Sequence, residues 1–118
     1  MLYVEYDEQY GTVVPDGQVA KRVLKWIENY CDESVSNVCV GSDVMVNQFR
    51  LMVIDGILKH DELMFIYKDI QVPVDRYAKM NCPKGMCDLN MDQMFALIDG
   101  ASKVKRAETE AKTALVAE

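Results

Sequence analysis

Ser42-Asp43-Val44-Met45-Val46-Asn47-Gln48-Phe49-Arg50-Leu51, running on to Lys68, is the stretch that decides the fold. A short apolar run, Val38-Cys39-Val40, precedes it, and a second, Met64-Phe65-Ile66-Tyr67, closes it. Ser42 or Asp43 supplies the side-chain oxygen that satisfies free amides at a helix start. Val46, Phe49, Val53 and Ile57 then fall along one helical seam. Met45, Leu51, Met52 and Ile54 widen that seam, so this helix is expected to be well buried. Gly56 stands near its end, as a C-terminal glycine often does. The order is strand, cap, helix, loop, strand.

Working outward, Leu2 to Tyr6 alternates apolar and polar residues and predicts a first strand. Tyr10-Gly11-Thr12 and Pro15-Asp16-Gly17 are turn material. From Gln18 to Cys31 an apolar face of Val19, Val23, Leu24, Ile27, Tyr30 and Cys31 predicts a helix, with Asp16 as its cap and Trp26 at its margin. Asn37 to Val40 and Met64 to Tyr67 are further strands. Lys68-Asp69 is a tight turn into Ile70–Val74, which Pro73 confines to a sheet edge. Asp75 to Met80 is expected to extend the sheet by a bend or short hairpin. Asn81 to Leu89 reads as a loop, and Asn90 caps a last helix striped by Met91, Met94, Phe95 and Ile98. Gly100 is expected to interrupt that helix. Residues 101–118, rich in Ala, Lys and Glu, predict a helical extension or a frayed tail beyond a single domain over residues 1–100. Helices between short apolar strands imply an α/β fold. The expected sheet is mostly parallel, with four or five strands, three flanking helices and an antiparallel edge hairpin.

The 118 residues are enough for one domain with its own core. A net charge of −6 disfavours direct nucleic-acid binding, which draws on basic surface. No apolar run reaches the ~18 residues of a membrane span, and the N-terminus carries no basic leader, so a cytoplasmic protein is expected. Cys31 and Cys39 read as small core residues in a reducing compartment. Cys82 and Cys87 have loop spacing suited to a metal, but the lone His60 is distant in sequence and completes no set of four ligands. No cofactor or metal is expected.

Four motifs in order resemble the C-terminal half of the nucleotide-binding domain of ABC-type ATPases, closest to the SMC-like and overcoming-lysogenization-defect-like ATPases of bacterial defence systems. Leu2-Tyr3-Val4-Glu5-Tyr6-Asp7-Glu8, then Pro15 and Gln18, stand where that family has a Walker B strand, a proline and a glutamine. Val40-Gly41-Ser42-Asp43 and Val46-Asn47-Gln48-Phe49-Arg50-Leu51 resemble its switch-histidine turn and following helix. Asp55-Gly56 through Ile66-Tyr67, and Cys82-Pro83-Lys84-Gly85-Met86-Cys87-Asp88, resemble its last two segments.

The departures decide what the resemblance implies. No glycine-rich phosphate loop occurs in the sequence. Tyr6 stands where the family has its water-polarising acid, and Gly41 where it has the switch histidine. Glu5, Tyr6, Gly41, Ser42 and Asp43 are therefore expected to mark a vestigial nucleotide site without catalysis. The implied role is a non-catalytic protein-interaction module, an inhibitor or regulatory partner of a complete ATPase or of a second copy, in a phage-encoded setting directed at a defence ATPase. The alternative from composition is a small acidic inhibitor or nucleic-acid mimic unrelated to ATPases. Enzymatic candidates, namely Glu5, Asp7 and Glu8 as paired carboxylates, His60 as a base, or Cys82 with Cys87 as a redox pair, form no acid–base–nucleophile pattern.

Overall fold

A computed structural model describes residues 1–80 and 97–109. Its elements are β1 (Leu2–Tyr6), α1 (Val19–Cys31), β2 (Asn37–Val40), α2 (Asp43–Ile54), β3 (Leu63–Tyr67) and β4 (Ile70–Pro73). A third helix, α3, covers 97–109. The sheet order is β2-β1-β3-β4. β1 pairs in parallel with both β2 and β3, and β4 returns antiparallel on β3. The fold is α/β, a mostly parallel open sheet with an antiparallel pair at one edge.

The side chains of β1 sort the molecule into two faces, because successive residues of a strand point to opposite sides. Leu2, Val4 and Tyr6 are buried. In register with them on β3 are Leu63, Phe65 and Tyr67, all buried too. Val40 opposite Tyr6 and Val72 opposite Phe65 complete that inner face. Both α1, through Val19, Val23 and Ile27, and α2 contribute to the same core. Phe49 of α2 joins the layers: Trp26 of α1 stacks on it at 6.2 Å, and Phe65 of β3 meets it edge-on at 6.4 Å.

The other face carries Tyr3, Glu5, Cys39, Met64, Ile66, Gln71 and Pro73, and none of these is buried. Largely parallel sheets are usually covered on both sides. Among the described residues, every buried strand side chain lies on the inner face, and the outer one is left open.

Local chemistry sets the element ends. Ser42 caps α2, its hydroxyl accepting from the Met45 amide at 3.3 Å. Gly56, at φ 75°, ends it in a Schellman motif, with Gly56 N–H donating to Val53 and Ile57 N–H to Met52. That stop after Ile54 throws Ile57 out of the expected seam, and it is exposed. Leu58 takes the core position instead. α1 ends in the same motif, with Glu33 in the left-handed position (φ 61°) that a glycine usually fills. Lys68 and Asp69 both have positive φ, the geometry of a two-residue hairpin turn, and Pro73 sits on the edge strand as expected.

Several expectations are corrected. Asp16 makes no side-chain cap; Pro15 starts a 3-10 turn over Asp16–Gln18, and α1 begins at Val19. Cys31 is exposed at the end of α1, and Cys39 is half-buried on the open face, so neither is a core residue. Asp75 to Met80 does not extend the sheet. Asp75 Oδ1 accepts from the Tyr77 and Lys79 amides, closing a turn with Ala78 at φ 62°. Arg50 of α2 grips that turn, Nε donating to the Ala78 carbonyl at 2.8 Å and Nη1 to Oδ1 of the fully buried Asn47 at 3.2 Å. Gly100 lies within α3 and does not interrupt it. A Cβ at Gly100 would stand 2.5 Å from Ile54 Cγ2, so the missing side chain lets α3 approach α2. Cys82, Cys87, the motif from Cys82 to Asp88, the Asn90 cap with Met91, Met94 and Phe95, and the tail beyond 109 lie outside the described residues.

Phe49→Ala removes the ring that contacts both α1 and β3. Loss of about 3–5 kcal/mol of unfolding free energy is expected in a urea titration, as for other buried aromatic truncations.

Candidate functional site

The chain leaves the C-terminal end of β1 towards β2 on one side and returns from β2 to β3 on the other. By strand order that is a topological switch point, but α1 and α2 both pack on the inner face, so these strand ends do not open into the crevice that helices on opposite faces make. On the inner side the strand ends are occupied by side chains that meet one another. The Tyr6 hydroxyl donates to Oδ1 of Asp43, the first residue of α2, at 2.6 Å, and lies 3.3 Å from Oε1 of Glu8. Tyr67 packs its ring beside Tyr6 with centroids 5.6 Å apart. A shallow, open depression of about 400 Å3 remains, lined by Glu5, Tyr6, Asp7, Glu8, Tyr67 and Lys68 among others.

Burial, then the hydrogen bond and charge of Asp43, then Glu8 hold the Tyr6 phenol protonated far above the ordinary tyrosine range. A phenol kept neutral between two carboxylates is a hydrogen-bond donor, not a base or nucleophile at neutral pH. The start of α2 would favour an anion. Asp43 already supplies one, and a phosphate placed there would meet carboxylates.

The loop after β1 seals the neighbouring end of β2. Asp7 Oδ1 accepts from the Gln9 and Tyr10 amides at 2.9 and 3.1 Å and folds the chain back. Thr12 N–H then donates to the Cys39 carbonyl and Gly41 N–H to Thr12, adding a one-residue parallel bridge outside β2. Two glycines make the approach possible. A Cβ on Gly11 would stand 2.2 Å from the Val40 carbonyl carbon. One on Gly41 would stand 2.7 Å from the Gly11 oxygen and 2.8 Å from Val13 Cγ2. Position 41 therefore has no room for a histidine without moving backbone.

Of the five singled-out residues, Tyr6 and Asp43 are brought into contact, Ser42 caps α2, and Gly41 packs against the Gly11 loop. Glu5 points to the open face, opposite to Tyr6, and is exposed. His60 precedes β3, at the far end of the sheet from Glu8, so it does not join the carboxylates Glu5, Asp7 and Glu8, which line one depression. Among the described residues, no three of His, Cys, Asp and Glu stand together to hold a metal, and no helix is long and apolar enough to cross a membrane. The Cys39 thiol is pushed up by burial and by the charges of Glu5 and Asp7, which disfavours its reactive thiolate.

No protein-family model, curated protein or solved structure matches the chain.

Sequence reasoning named Glu8 only as one of a set of carboxylates, and missed Tyr67 and Gly11 as parts of this end of the sheet. The available signal was the Asp7-to-Gly11 turn directly after a strand, where glycine commonly marks close backbone approach.

The raised Tyr6 pKa fixes a sign. The unfolded chain releases this proton near pH 10, whereas the folded chain retains it, so the stability contributed by Tyr6 is complete below about pH 10 and is lost as pH rises above it. Tyr6→Phe is expected to lower stability by about 1–2 kcal/mol at pH 7, with the gap to wild type narrowing above pH 10 in paired urea titrations. A gap independent of pH contradicts the assignment.

Proposed function

We propose that this chain is a binding domain without catalysis, a degenerate relative of the C-terminal half of an ABC-type, SMC-like ATPase domain. It acts by contact with a protein partner, a complete ATPase or a second copy of itself, as an inhibitor or regulatory partner. The setting implied by the resemblance is a phage protein directed at a defence ATPase, in a reducing cytoplasm.

The observation that carries this proposal is the outer face of the sheet, which no described helix covers. Tyr3 lies beside Met64 there and Ile66 follows on β3, while Glu5 of the central strand stands between Cys39 and Ile66, with Gln71 and Pro73 on the edge strand. A half-buried sheet face that sets apolar side chains around a charged one is a surface that a partner with a matching polar group covers. The parallel, adjacent first and second strands agree with the ATPase-half resemblance. The Tyr6–Asp43 hydrogen bond, the carboxylates at the start of α2 and the glycine contact at position 41 favour a scaffold without phosphoryl chemistry. Acid gathers at one strand end, around Glu5, Asp7, Glu8 and Asp43, which gives little support to mimicry of a long nucleic-acid backbone.

The test is a charge placed on the open face. Ile66→Asp combined with Met64→Lys should leave the circular dichroism spectrum unchanged. It should abolish either the dimer seen for wild type by sedimentation velocity or the capture of a specific ATPase from host lysate. Equal association by the wild type and the double variant, or none by either, contradicts the proposal.

A further inference from the structure

Beyond Leu97, which joins the core, the described part of α3 meets the rest of the domain at Gly100 and at Glu108, about 12 Å apart along the helix, with an open groove between them. The first point is Gly100, buried, where the absent side chain admits Ile54 of α2. The second is Glu108. Its Oε2 accepts from the Tyr77 hydroxyl at 2.6 Å, and its Oε1 lies 3.2 Å from Nη1 of Arg76. The Arg76 guanidinium and the Lys105 ammonium, each 5.0 Å from the Tyr77 ring centroid, complete the clasp. Between the two points lies a groove of about 540 Å3, lined by Leu51 and Ile54 of α2 and by Lys103, Val104 and Ala107 of α3.

Packing alone holds the distal half weakly. Over the described part of α3 only Leu97 and Gly100 are buried; Ala101, Val104 and Glu108 are partly so, and the rest are exposed. The Arg76 side chain is 59% exposed, and an ion pair so open to water contributes little. A helix with few buried apolar contacts belongs to the low-stability end of a structure. Glycine in a helix interior is moreover its weakest backbone position.

We propose that α3 is a hinged strap: its distal part, 101–109, swings about Gly100 when the Tyr77–Glu108–Arg76 clasp is released, uncovering the apolar flank of α2 at Leu51 and Ile54. The turn that carries Tyr77 is itself fixed to α2 by Arg50, so the clasp is anchored on the rigid side and gives on the helix side.

Hydrogen exchange of the full chain, followed by mass spectrometry, tests this. Glu108→Ala and Tyr77→Phe should each speed exchange over 101–109 about tenfold or more, while peptides from β1, β3 and α2 keep wild-type rates. Glu108→Gln, which still accepts from Tyr77 but loses the ion pair, should fall between them and wild type. Unchanged exchange over 101–109 in both Glu108→Ala and Tyr77→Phe overturns the proposal, because the clasp then holds nothing. A rise spread over the sheet as well overturns it too, because α3 then unfolds with the core and not by itself.

Discussion

Strand β1 has a parallel neighbour on each side, and that single constraint places nearly everything else. A central strand must present an apolar face to the helical layer, and Leu2, Val4 and Tyr6 do so. Its register fixes Phe65 on β3, and Phe65 in turn meets Phe49, the residue through which α1 and α2 share one core. The last inward residue of β1, Tyr6, ties the strand end to the start of α2 through Asp43. Fold and site are therefore joined at one side chain.

The same arrangement explains why this end of the sheet is poor ground for a nucleotide. Electrostatics and sterics act together. Asp43 and Glu8 bring negative charge to the helix start that would otherwise attract phosphate. Gly11 and Gly41 allow backbone to pass where a switch side chain would need space. No described helix covers the outer sheet face, and the two faces differ because alternate residues of β1 and β3 have different partners.

Much of this was legible in the sequence. The strand-cap-helix-strand order from Val38 to Tyr67 follows from periodicity, capping by Ser42 and the Gly56 stop, all local signals. Pro73 marked the edge strand for a local reason as well. What stayed hidden depended on distant contacts. Cys31 looked like core because its helix is periodic, yet the helix ends there and its thiol is exposed. Gly100 looked like a break, whereas its role is set by Ile54, 46 residues earlier in the chain. Asp75 to Met80 looked like strand because nothing local announces the grip of Arg50 on Ala78. Tyr6 and Asp43 were singled out together through a family resemblance, but their hydrogen bond, and the part played by Glu8, emerge only from the fold.

The central claim, a sheet end where Tyr6, Asp43 and Glu8 leave no place for a phosphate, is tested most directly by titrating the protein with magnesium and ATP while recording backbone amide chemical shifts. The account predicts no saturable change for residues 5–12 and 41–45 at millimolar nucleotide. Saturable shifts confined to those two segments would contradict it, because phosphate would then be bound where Asp43 and Glu8 are expected to repel it.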